Sequence, residues 1–106
     1  MESAPQTDPL GRRISLPDHS WDHILQGHPE VSGHRDLVEA ALSNPREIWF
    51  SLSHADRRVY SGRGPRPRVM MVVIADVVRG LVVTAYLSNR PGKGVVEWSS
   101  PTPWKG

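Results

Sequence analysis

The chain has 106 residues, 38% of them hydrophobic and 23% charged, which is the composition of one folded domain with a small core. It holds no cysteine, which excludes a disulfide framework, thiolate catalysis and any cysteine-ligated zinc site. The net charge of +2 divides unevenly: residues 1–56 carry four Arg against nine acids, a balance of −5, and residues 57–106 carry seven Arg and two Lys against Asp76 and Glu97, a balance of +7. Arg outnumbers Lys eleven to two, and Arg is the better fork for phosphate, so the basic half points to a polyanionic partner. The longest apolar run, Val69 to Ala75, is far below the roughly 20 residues that span a bilayer, so no membrane partner is expected. Residues 1–13 show no apolar stretch of the signal-peptide kind, and a cytoplasmic protein is expected, with delivery by a specialised secretion system or a phage left open.

Residues 1–11 and 89–106 hold five of the ten prolines and few apolar side chains. They are expected as flexible tails around a folded segment 12–88. Trp98 and Trp104 in the second tail are candidate anchors, on the domain or on a partner. Arg13 to Leu16 alternates and reads as a short leading strand ended by Pro17. Asp18 is a plausible N-cap for a first helix whose apolar face is Trp21, Ile24, Leu25 and His28, ending near His28 before Pro29. A second helix opens at Ser32 or Gly33, carries Leu37, Val38, Ala41 and Leu42, and stops at Asn44-Pro45.

Four strands follow: Glu47–Leu52, Arg57–Ser61, Arg68–Val78 and Leu81–Ser88. Turns this short make sequential strands antiparallel neighbours. The expected fold is therefore α+β, two N-terminal helices on one face of a four-stranded antiparallel sheet, with the other face partly open. Strand parity assigns that open face. Leu81, Val83, Ala85 and Leu87 are expected inward, and Val82, Thr84, Tyr86 and Ser88 outward. With Val59 taken as the core residue of its strand, Arg58 and Tyr60 point outward, and Arg57 reaches solvent near the strand end. Arg63, Arg66 and Arg68 line the rim from the Gly62–Arg68 loop. A basic loop beside tyrosines and hydroxyls suits single-stranded nucleic acid: Arg contacts phosphate, and a tyrosine stacks on a base for about 1–3 kcal/mol.

The five histidines divide. His19 and His23 have the i, i+4 spacing of a metal clamp but lack the acid and third ligand that a zinc-protease helix needs, so no metal and no cofactor are expected. His34 and His54 read as surface residues. His28, on the apolar helix face at the helix end, is the candidate for proton transfer near neutral pH; as a structural residue it would cap the helix end.

A set of short motifs recurs in order: Trp21-x-His23-Ile24, Gly27-His28-Pro29-Glu30, Asn44-Pro45, Ile48, Arg58-x-Tyr60, Val72-Val73 and Val83-Thr84-Ala85-Tyr86. Over roughly residues 14–88 the chain resembles the phage-associated barnase–EndoU–colicin–RelE-like nuclease domains. The resemblance implies a barnase/RelE-like fold, metal-independent RNA cleavage, and use as a toxin held by an antitoxin or immunity protein. It implies a catalytic set of His28, Arg58 and Thr84. His28 would take the ribose 2′-hydroxyl proton, Arg58 would stabilise the charge at phosphorus, and Thr84 would donate to a non-bridging oxygen, leaving a 2′,3′-cyclic phosphate. Tyr60, Tyr86, Ser88, Arg57, Arg63, Arg66 and Arg68 would bind the substrate, and Tyr60, Tyr86 and His23 are candidate acids for the leaving oxygen. The alternative is a non-catalytic module that binds RNA or a protein on the same groove.

Overall fold

The computed structural model of the protein describes residues 4–90 and 92–102. The elements in chain order are β1 (Gln6–Thr7), β2 (Arg13–Ile14), α1 (Asp18–Gly27), a 3-10 turn (Pro29–Val31), α2 (Arg35–Ser43), β3 (Glu47–Phe50), β4 (Arg57–Arg63), β5 (Met70–Asp76), β6 (Leu81–Ser88) and β7 (Val96–Ser99). Strands β3 to β6 form the antiparallel meander that the short turns require, and β7 adds to its β3 edge, giving the order β6-β5-β4-β3-β7. The class is α+β, but the expected four-stranded, barnase/RelE-like arrangement with two N-terminal helices is corrected. The main sheet has five strands, and a two-stranded ribbon, β1 with β2, precedes the helices. The reason lies in both segments expected as loose ends. Residues 4–11 supply β1 and a buried Asp8, and residues 92–102 supply β7, whose Trp98 packs against the core. Trp104 lies outside the described residues.

The helices form where the sequence periodicity places them. Pro17 is the N-cap of α1 and His28 its C-cap, with the His28 N–H donating to the Ile24 carbonyl at 2.7 Å. Asn44 closes α2, its N–H donating to Ala40 at 2.7 Å. Ile24 from α1 and Val38, Ala41 and Leu42 from α2 enter one core with Ile48, Tyr60, Met71, Val73, Ala75, Val82 and Ala85 of the sheet. Helix α2 can sit directly on β4 because position 62 is glycine: a Cβ there would come 2.8 Å from the Ala41 Cβ.

Two strands present side chains otherwise than expected, one by reversed faces and one by a bulge. In β4, Tyr60 and not Val59 faces the helices: Tyr60 is fully buried, while Val59 is half-buried on the other face. Tyr60 pairs across the sheet with Ile48 and Val73, both core residues. Gly62 shares this parity, and its contact with Ala41 fixes it. In β6 the register shifts between Ile74 and Ala75, which pair with Thr84 and Val82 and leave Val83 as a bulge. Ala85 and Leu87 face inward as expected, but Val82, expected outward, joins the core, and Val83 does not. Thr84, Tyr86 and Ser88 keep the uncovered face.

A buried polar chain ties the N-terminal ribbon to the sheet. Asp8 Oδ1 accepts the N–H groups of Leu10 and Arg12, each at 2.9 Å. Its Oδ2 accepts Arg12 Nε at 2.8 Å and the Tyr60 hydroxyl at 2.6 Å. Arg12 continues with two bonds to Glu97, at 2.6 and 3.1 Å, and Glu97 also accepts Arg58 Nε at 2.9 Å. Glu97 can take part because β7 bulges where Ile48 pairs with Trp98 and Trp49 with Val96. Burial pushes the carboxyls of Asp8 and Glu97 up, but Tyr60 and Arg12 on the first, and Arg12 and Arg58 on the second, bring both below the ordinary carboxylate range. The Tyr60 hydroxyl moves up, from burial and from its carboxylate acceptor.

Tyr60→Phe leaves Asp8 one donor short inside the core and is expected to cost about 1–3 kcal/mol, read as a lower urea midpoint with an unchanged slope. Because both carboxyls titrate lower in the folded state, their stabilisation is complete only above about pH 5.5 and is lost as the pH falls through the unfolded and then the folded values. Urea midpoints between pH 3 and 7 are expected to fall only at the acid end, and Glu97→Gln is expected to flatten part of that fall.

Candidate nucleic-acid interface

The uncovered face is built from cross-strand rows. Trp49, Val59, Ile74 and Thr84 align in one row, Glu47, Ser61, Val72 and Tyr86 in the next, and Arg63, Met70 and Ser88 in a third. A cavity of 300 Å³ lies over it, walled by Trp49, Val59, Met70, Val72 and Tyr86 and by Arg90 and Lys93 beyond the end of β6. Gly92 lies against the Trp49 indole, whose N–H is buried without a partner among the described residues. A second cavity of 710 Å³, sharing Met70 with the first, opens at the end of the sheet beside the Gly64–Val69 loop. Aromatic and thioether side chains thus floor the face, hydroxyls punctuate it, and cations stand at its rim.

His28 reaches this face at the β6 edge. Its ring centroid is 5.7 Å from that of Tyr86, with the planes 34° apart. Its Nδ1 is 3.2 Å from Glu30 Oε2. Glu30's own backbone N–H holds that carboxyl below the ordinary range, and burial opposes this only in part; the His28 bond and the Leu87 N–H add to the lowering. A carboxylate only accepts, so the neutral His28 carries its proton on Nδ1 and leaves Nε2 as the basic nitrogen. The pair is half-exposed, with side-chain exposures of 39% and 42%, so a substrate can reach it. Pro29 makes the tight 3-10 turn that brings Glu30 back under His28.

The expected catalytic set does not assemble as a unit. Arg58 lies on the face of Tyr60, since it pairs with Phe50 and Ala75, whereas Thr84 pairs with Ile74 on the uncovered face. The Arg58 guanidinium is engaged there by Glu97 and by the Ala55 carbonyl at 2.8 Å, and it stacks 4.3 Å over the Phe50 ring. Tyr60, expected at the groove as a substrate contact or acid, is sealed in the core for the same reason of parity. Arg57 stays on the uncovered side in register with Asp76. Tyr86 and Ser88 line the aromatic cavity, and Arg63, Arg66 and Arg68 line the basic one. His19 and His23 are exposed on α1, and His54 sits in the β3–β4 turn.

Sequence reasoning missed Glu30, Trp49, Met70, Arg46, Arg90 and Lys93. Glu30 had a signal, an acid two residues after a histidine across a proline. The others depended on knowing which face each strand turns outward. Compared with known proteins, the chain matches no family model, no curated protein and no solved structure.

Arg58→Ala removes one of the two cations on Glu97 and a ring contact, and is expected to lower stability by about 1–3 kcal/mol, measured by urea denaturation. A change within about 0.5 kcal/mol, joined to a loss of RNA binding, would mean that Arg58 serves a substrate instead.

Proposed function

We propose that the protein is a metal-independent endoribonuclease that holds single-stranded RNA across the uncovered sheet face and cleaves it by 2′-hydroxyl attack. The observation that carries the reading is the His28 imidazole, oriented by Glu30, set beside Tyr86, and open to solvent at the edge of an aromatic, cation-rimmed surface. His28 Nε2 takes the 2′-hydroxyl proton. The freed oxygen attacks the adjacent phosphorus, and the bond to the 5′-oxygen breaks, giving a 2′,3′-cyclic phosphate and a 5′-hydroxyl. The leaving oxygen needs a proton. Of the expected donors Tyr60 is spent on Asp8, and Tyr86 is the one whose ring adjoins His28. Thr84 stands on the same face as Tyr86, two residues along β6. The resemblance extends the proposal to a toxin restrained by an antitoxin or immunity protein.

A binding-only module is the second reading. What favours it is Arg58, which Glu97 holds on the helix side of the sheet, away from any phosphate at His28. Incubation with single-stranded RNA in EDTA separates the two. The nuclease yields cyclic-phosphate products, His28→Ala lowers the rate by about 10²–10⁴-fold, and Glu30→Gln lowers it less while shifting the pH profile. RNA retained but recovered whole selects the binding module. Cleavage at the parent rate by His28→Ala overturns the site.

A further inference from the structure

The 710 Å³ cavity at the end of the sheet is predominantly basic: Arg46, Arg63, Arg66 and Arg68 line it, against the single acid Glu47. Arg46, Arg66 and Arg68 are exposed, and no ion pair to them occurs among the described residues. Like charges gathered this closely repel one another, and among the lining residues Glu47 alone opposes them.

The loop that presents them is stiff. Pro65 and Pro67 fix two of its backbone angles. The Val69 N–H donates to the Arg66 carbonyl at 3.3 Å. Gly64 approaches the far side so closely that a Cβ there would collide with the Val69 carbonyl. Within this closed turn Arg68 has φ +67°, the only described residue other than glycine with a positive φ. That conformation is cheap for glycine and strained for a long branched-headed side chain. A solvated arm has no reason to hold arginine there, whereas a binding site that needs a guanidinium at a set position does.

We propose that this cavity is a phosphate subsite that takes the backbone of single-stranded RNA, with Arg66 and Arg68 clamping adjacent phosphates and Arg46 closing the opposite wall. Met70 belongs to both cavities, so a strand whose bases lie on the Tyr86 floor runs its phosphates into the arginine pocket. The stiff loop lowers the entropy lost on binding. The inference rests on the RNA reading above but not on cleavage.

The test uses His28→Ala full chain, which keeps the substrate whole, and a fluorescein-labelled oligoribonucleotide read by anisotropy at several salt concentrations. Arg66→Ala and Arg68→Ala are each expected to weaken binding about 5–10-fold and to reduce the salt slope by about 0.7. Arg68→Gly is expected to lose the same affinity while melting at or above the parent temperature, which separates a lost contact from a damaged fold. Arg79, exposed in the β5–β6 turn at the opposite end of these strands, is the control, and Arg79→Ala is expected to bind within twofold of the parent. An equal loss for Arg79→Ala, or full affinity in Arg68→Gly, overturns the subsite while leaving RNA binding intact. A chain that ignores RNA yet is stabilised by tripolyphosphate in an Arg68-dependent way overturns the strand assignment and the RNA reading together.

Discussion

One carboxylate organises the lower half of this molecule. Asp8 accepts four donors, two from its own turn and one each from Arg12 and Tyr60. An ionised side chain with no exposed surface is tolerable only when its lone pairs are filled, and here they are. Four donors thereby hold the N-terminal segment 4–11, which has almost no apolar side chains to bury. Through Arg12 the same chain of charges reaches Glu97 and so helps fasten β7, whose Trp98 also packs against the core. Such a network contributes less net stability than an apolar core of equal volume. What it contributes is geometry, because these charges meet in the observed register of the ribbon and of β7.

That geometry decides which side of the sheet is available. With the ribbon, both helices and Arg58 engaged on one face, the second face keeps Trp49, Tyr86, Met70 and a row of hydroxyls near solvent. Two bulges adjust the assignment strand by strand. The one at Val83 turns Val82 inward while keeping Thr84 and Tyr86 outward. The one in β7 turns Glu97 toward Arg58 and Arg12. Bulges change which neighbour a side chain meets without breaking the sheet, and here they separate structural charges from the face offered to a ligand.

The two kinds of arginine in the chain illustrate the division. Arg12, Arg35 and Arg58 are each spent on carboxylates or carbonyls at 2.6–2.9 Å. Arg46, Arg66 and Arg68 stand around an open cavity with one acid among them. Side chains of the first kind orient backbone segments. Those of the second kind are arranged for a partner that brings its own negative charge, and the stiffness of the proline loop keeps them arranged before it arrives. His28 belongs with neither set: Glu30 orients the ring through Nδ1 and leaves the second nitrogen open.

Much of the fold was legible in the sequence because it depends on local rules. Pro17, Pro29 and Asn44-Pro45 bound two helices whose apolar spacing is plain, and short turns force the antiparallel meander from β3 to β6. The position of His28 at a helix end followed from periodicity alone, as did three of the four residues expected outward in β6; the fourth, Val82, is turned into the core by the bulge. What escaped was long-range. Asp8 and Glu97 lie in polar, proline-marked segments that look unable to fold, and only their meeting with Arg12, Tyr60 and Arg58 across the structure orders them. In β4 Val59 looks like the core residue, and only the distant carboxylate that receives the Tyr60 hydroxyl shows that Tyr60 takes that place. Alternation along a strand states which residues share a face; which face the helices cover is settled by contacts between residues far apart in the chain, such as Gly62 with Ala41, and no local pattern encodes those.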